Sequence, residues 1–182
     1  MEIIKTDIPD VLLLKPEVYR DDRGFFLETY REQHLKEKNI DVHFVQDNLS
    51  KSQKNTVRGL HYQIERQQDK LLMIMQGAIL DVAVDLRKGS STFGEHVAME
   101  LSAENKHQMF IPKGFAHGFS VLSDDALVYY KCSDYYYPEG ERGLLWDDPE
   151  LNIDWKVTDP IISEKDMHQP RLQEIKEEDL FS

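Results

Sequence analysis

Cysteine is almost absent: Cys132 is the single one among 182 residues. No internal disulfide can form, and a lone thiol fits a reducing compartment such as the cytoplasm. Positive charge is scarce too, with 22 Lys and Arg against 34 Asp and Glu and a formal net charge of −12. That balance excludes the basic footprint that nucleic acid or an anionic membrane surface requires. Long apolar runs are missing: stretches such as residues 71–75 fall far short of the roughly 20 residues of a membrane-spanning helix. The opening MEIIKTDIPD has no apolar h-region of a secretory signal. There is no Gly-x-Gly-x-x-Gly fingerprint for a dinucleotide, no repeat of fixed period and no low-complexity stretch. What is there, 40% hydrophobic and 31% charged residues, suits one cytoplasmic domain spanning residues 1–182, with a core over about 20–137 and an extension over 138–182.

Acidity is uneven. The extension carries 13 acidic and 5 basic residues, while residues 1–137 carry 21 and 17. Most of the negative excess is therefore solvated tail surface, and the cations of the first part stand out. Arg23, Arg58 and Lys70 each lie beside glycine or apolar strand-like sequence, where a charge needs a partner.

The dominant pattern is short apolar runs of two-residue period separated by turn residues. Strands are expected over 44–50, 57–63, 70–76, 78–86, 95–101, 108–111, 118–122 and 127–134, and a helix over 31–39. A second short helix over 172–179 lacks a clean apolar stripe. In the 78–86 run Leu80, Val82, Val84 and Leu86 share one face, and Asp81, Ala83 and Asp85 the other. So many short strands indicate a mostly β fold, a sandwich or a barrel such as a double-sheet jelly roll with short peripheral helices.

Arg58-Gly-Leu-His61 places a cation and an imidazole three residues apart. Strict alternation sends them to opposite faces, whereas a bulge at Gly59 turns both inward. Pro112-Lys-Gly-Phe-Ala-His117 reads as a Pro-x-Gly turn delivering a strand that carries an imidazole. Taken singly, each histidine is more simply a satisfied core residue. Along 127–136, Val128, Tyr130, Cys132, Asp134 and Tyr136 share parity, so Tyr130 and Tyr136 face one interior; the five tyrosines between 129 and 137 are also plain strand formers. Gln46, Asn48 and Ser50 form a polar row on one strand face, suited to a sugar or nucleobase or equally to solvent. Asp22-Arg23-Gly-Phe-Phe-Leu-Glu28 puts a cation on a turn with an acid beyond it.

The second of these stretches resembles the second short motif of cupins, double-stranded β-helix jelly rolls. Metal-binding cupins supply a His-x-His pair from the first motif, where this chain has His61-Tyr62-Gln63. His61 and His117 alone fall short of the three protein ligands usual for a catalytic ion, which argues against a metal. A third ligand from Asp or Glu stays open.

Eight segments in register, from Asp22-Arg-Gly-Phe-Phe-Leu-Glu28 through Phe44-Val-Gln-Asp-Asn48, Arg58-Gly-Leu-His61, Ile79-Leu-Asp-Val-Ala-Val-Asp-Leu-Arg87, Pro112-Lys-Gly-Phe-Ala-His-Gly-Phe119, Tyr130-Lys-Cys-Ser-Asp-Tyr-Tyr136 and Trp146-Asp-Asp-Pro149 to Ser163-Glu-Lys-Asp166, closely resemble the dTDP-4-dehydrorhamnose 3,5-epimerase family. The resemblance implies a cupin-fold isomerase that inverts C3 and C5 of dTDP-4-dehydro-6-deoxy-D-glucose in dTDP-L-rhamnose synthesis, without a cofactor. It implies His61 as the base, Tyr130 as the acid on the opposite face, Asp166 orienting His61, and Lys70 at the C4 oxygen with Arg58 and His117 nearby. Arg23, Glu28, Gln46, Asp47, Asn48, Glu141 and Lys165 would contact the nucleotide sugar and Tyr136 would stack on thymine. A homodimer with exchanged N-terminal strands is also implied. Relatives that invert only C3 or only C5 share nearly all these motifs. A metal-dependent oxygenase and a non-catalytic sugar-binding cupin are the rival readings.

Overall fold

Thirteen short strands and two short helices, described by a computed structural model over residues 1–182, make up the chain. The strands are β1 (Glu2–Lys5), β2 (Leu12–Lys15), β3 (Val18–Asp21), β4 (Gly24–Leu27), β5 (Gln46–Gln53), β6 (Val57–Gln63) and β7 (Lys70–Gln76). They continue as β8 (Ala78–Asp85), β9 (His96–Ser102), β10 (Gln108–Ile111), β11 (Phe115–Val121), β12 (Asp125–Cys132) and β13 (Glu141–Gly143). Helix α1 (Glu32–Lys36) lies between β4 and β5, and α2 (Glu164–Met167) in the C-terminal extension. No helix is long and apolar enough to cross a membrane.

All strand pairings are antiparallel. One sheet runs β1-β2-β10-β7-β12-β5, the other β13-β6-β11-β8-β9, and β3-β4 form a separate hairpin. Between the two large sheets lies a core of 16 buried residues, among them Leu13, Leu72, Ile74, Ile79, Val97, Met109, Phe119 and Val128. Burying each large aliphatic side chain there contributes about 1.5–3 kcal/mol. Leu80, Val82, Val84 and Leu86 point away from the barrel interior, into a second cluster with Leu144, Leu151, Trp155 and Phe181 of the extension. The Asp81 and Asp85 face is the one turned inward. A third cluster packs Leu35 and Val42 on Leu12, Leu14, Leu71 and Phe110.

The N-terminal segment joins the first sheet, since β1 and β2 pair with each other and β2 with β10. The helix expected over 31–39 is the shorter α1, and the 172–179 segment forms two 3₁₀ turns, Leu172–Glu174 and Glu177–Asp179. Ile175 between them is extended, with φ −67° and ψ 127°. The extension is pinned by specific polar contacts as well as by its apolar side chains. Asp148, 3% exposed, accepts from the Leu172 and Glu150 amides at 2.7 and 3.0 Å. Ser120 donates to the Trp155 carbonyl at 2.6 Å, and Ile161 bridges Thr56. This docking carries α2 to the mouth of the barrel.

Candidate active site

Two glycines shape the site. Gly59 has φ +109°, and a Cβ there would lie 2.6 Å from the His117 carbonyl and 2.7 Å from Gly118 Cα. The β6–β11 register shifts between His117 and Phe119. The irregularity sends Arg58 and His61 to one cleft, as a bulge at Gly59 would. That cleft measures about 930 Å³ and is lined by Arg58, His61, Lys70, His117, Tyr130, Lys165 and Asp166 with neighbouring polar residues of β5. A recess of about 230 Å³ continues it past His61, Lys70 and Tyr130 to Gln46, Asn48, Cys132, Tyr136 and Glu141.

His61 Nε2 lies 2.6 Å from Asp166 Oδ1. Asp166 is only 3% exposed. Its Oδ2 accepts from the Gly59 amide at 3.3 Å, and its own amide donates to Ser163 Oγ at 3.1 Å, the N-cap of α2. Burial pushes the Asp166 carboxyl up, but hydrogen bonding and charge from His61, with Gly59 and Ser163, carry it below the ordinary carboxylate range. An ionised carboxylate can only accept, so the ring hydrogen sits on Nε2 and the lone pair on Nδ1. His61 keeps its side chain 32% exposed, enough for a reactant to reach that lone pair.

Tyr130 comes from β12, in the sheet opposite His61. Burial raises its phenol above the usual range, so it holds its proton. Lys70 begins β7, and burial drags its ammonium below the ordinary lysine range against the pull of Cys132, Asp81 and Glu141. His117 stands in register with His61 and bonds Asp81 Oδ1 at 2.7 Å through Nε2. Arg58 Nε donates to Ser52 Oγ at 2.8 Å. In the recess Tyr136 donates to Glu141 at 2.9 Å, and Lys165 pairs with the same carboxylate. Gln46 donates to Asn48 at 3.0 Å, and its carbonyl receives the Tyr136 amide at 2.9 Å. No group of three or more His, Cys, Asp or Glu side chains is placed to hold a metal ion.

Eleven of the fourteen expected site residues thus converge on one cleft. Three stand apart. Asp47 lies between Gln46 and Asn48, so the strand period turns it to the other face, where it pairs with Lys131 at 2.7 Å. Arg23 closes on Asp21 at 2.6 Å in the β3–β4 hairpin, and Glu28 pairs with Arg31. Ser52 and Ser163 support the site without having been expected to; whether Asp81 or Asp85 supports His61 is a question the sequence leaves open, and Asp81 holds His117 instead.

The chain is thus a two-sheet barrel of cupin type whose cleft sets an imidazole held by a carboxylate across from a phenol of the facing sheet, with an ammonium beside them. The sequence profile described as dTDP-4-dehydrorhamnose 3,5-epimerase matches residues 5–174. A dTDP-4-dehydrorhamnose 3,5-epimerase of Methanothermobacter thermautotrophicus is 50% identical over 174 residues, 94% of each chain. One of Neisseria gonorrhoeae is 54% identical over 168 residues, which cover 92% of this chain; the match spans about half, 51%, of that relative's length. The crystal structure of a dTDP-6-deoxy-D-glucose-3,5-epimerase from Legionella pneumophila, in complex with dTDP-4-keto-L-rhamnose, aligns with a TM-score of 0.96 at 47% identity, covering 99% of this chain and 97% of that one. The chain belongs to the dTDP-4-dehydrorhamnose 3,5-epimerase family.

Proposed function

We propose that the chain inverts C3 and C5 of dTDP-4-dehydro-6-deoxy-D-glucose, giving dTDP-4-dehydro-L-rhamnose. Both carbons flank the C4 ketone, so loss of either proton spreads charge onto the carbonyl oxygen. His61 Nδ1 removes the proton, Asp166 holds the resulting imidazolium, and Tyr130 returns a proton from the opposite face. A positioned acid or base contributes roughly 10²–10⁴-fold to such a step. Lys70 directs its ammonium at the C4 oxygen, with Arg58 and His117 beside it, and each directed donor is worth about 3–4 kcal/mol. The observation that carries this reading is the His61–Asp166 bond of 2.6 Å set in one cleft with Tyr130 and Lys70 from the facing sheet.

The recess takes the nucleotide. Tyr136 stacks on the thymine, Gln46 and Asn48 meet its polar edge, and Lys165 and Glu141 border the diphosphate and ribose. The site residues come from both the barrel and the extension, so residues 1–182 work as one domain. A homodimer completes the site: the β3–β4 hairpin belongs to neither large sheet and leaves Tyr19, Phe25 and Phe26 56%, 55% and 70% exposed. Packed on a partner, that hairpin brings Arg23 and Glu28 to the partner's nucleotide. The buried thiol of Cys132 accords with a cytoplasmic setting. His61→Asn and Tyr130→Phe test the roles: each is expected to keep the fold and to lose about a hundredfold or more in turnover. Full activity in either contradicts its assignment.

A further inference from the structure

Asp81 is wholly buried in the middle of β8, on the inward face between Ile79 and Ala83 of the core. A buried carboxylate is costly unless its oxygens are matched. Here Oδ1 lies 2.7 Å from His117 Nε2, while Oδ2 is buried without any hydrogen-bond partner. Buried polar atoms left unmatched are uncommon and ask for an explanation. The cleft holds a cation in the converse position. Lys51, Arg58 and Lys165 are each held, by Asp125, Ser52 and Glu141, whereas Lys70 has neither ion pair nor hydrogen bond.

We propose that Asp81 is the shared counter-charge of His117 and Lys70, a positioning residue that keeps the ammonium charged and the imidazole fixed at the oxygen where the enolate forms. The proposal rests on the reading of Lys70 given above. Tyr130 and Cys132 of β12, Glu141 of β13 and His61 of β6 line the recess with Lys70, and His117 of β11 lines the cleft with it; Asp81 of β8 stands behind His117, at 2.7 Å from its ring, and its charge acts on the ammonium from there. Burial pushes the Cys132 thiol up, so it carries no charge to offer near neutrality. Glu141 is already engaged by Lys165 and Tyr136. Asp81 is left as the anion with an oxygen to spare.

The sign of the test follows. Removing a negative charge beside a cation lowers the cation's pKa, by about one unit or more for neighbours within several ångströms. Asp81→Asn is therefore expected to move the alkaline limb of kcat/KM to lower pH, with about tenfold less activity than the parent above both limbs. Asp81→Glu, which restores the charge, is expected to return the limb toward the parent position. A role confined to packing would lower Tm and leave the limb in place, and a folded Asp81→Asn enzyme with the parent profile overturns the proposal. The parent itself gives a second measurement that needs no variant to fold: side-chain NMR is expected to show the Asp81 carboxyl carbon shifting as the Lys70 amine titrates. A carboxyl signal indifferent to that titration also overturns it. Lys70→Ala separates the two levels. Full turnover in that variant sinks the Lys70 reading itself, whereas an inactive Lys70→Ala beside an unshifted Asp81→Asn profile sinks only the role of Asp81.

Discussion

Replacing Asp166 by Asn changes one atom, and its effect follows from the two donors that converge on the carboxylate. His61 Nε2 and the Gly59 amide approach the two oxygens at 2.6 and 3.3 Å. An amide accepts at one end only. If its oxygen stays on Gly59, its NH₂ meets His61, forces the hydrogen onto Nδ1 and leaves no lone pair facing the cleft. If its oxygen turns to His61, two donors oppose each other at Gly59, where an unmatched buried group costs about 1–3 kcal/mol. In either case the imidazolium formed during proton removal loses a charge-assisted bond worth about 1.5–3 kcal/mol, or roughly 10–150-fold in rate. Adding the wrong tautomer, kcat is expected to fall about 10²–10⁴-fold. KM should move little, because Asp166 lies behind His61 and is 3% exposed. The assay is deuterium entry at C3 and C5 of the keto sugar, run beside a circular-dichroism melt. A folded Asp166→Asn enzyme with kcat within about threefold of the parent refutes the reasoning.

Two further outcomes are expected. Asp85 is wholly buried; burial raises its carboxyl, but Arg87, Ser90 and Thr92 hold it down to about 2. A depressed carboxylate stabilises fully above its unfolded value and loses that contribution as pH falls through the folded one. Asp85→Asn should therefore cost about 2 kcal/mol at neutral pH in urea unfolding, a deficit that shrinks from about pH 4 toward pH 2; a deficit constant over that window contradicts the assignment. For the proposed homodimer, Arg23→Ala and His61→Asn chains, each impaired alone, should recover activity when mixed and allowed to exchange subunits. No recovery in demonstrably mixed dimers argues that Arg23 does not serve the partner's site.

Much of the barrel was legible because a half-buried strand writes its period into the chain. The expected bounds of β6, β7 and β10 coincide with those found. The residue pattern by itself marked none of the four N-terminal strands: each is four residues long, too short for alternation to rise above chance, and β3 and β4 expose their aromatics. His61, Tyr130 and Lys70 were visible as chemistry-bearing types next to glycine or in strand runs. Asp166 was not visible from its neighbours at all, since only tertiary docking through Ile161 and Trp155 brings it to His61; the family resemblance supplied it. Asp47 shows the converse, for local alternation places it outside the cleft. The fixed pairing of Asp81 with His117 rather than His61 depended on barrel geometry that no local pattern carries.

The central claim, that this cleft moves protons at both carbons flanking a ketone, is tested most directly by incubating the protein with dTDP-4-dehydro-6-deoxy-D-glucose in D₂O and following the sugar by proton NMR. Deuterium entering at C3 and at C5, with inversion at each, is the predicted result. Exchange at one carbon alone would restrict the chain to a single inversion, and exchange at neither would contradict the assignment of His61 as the base.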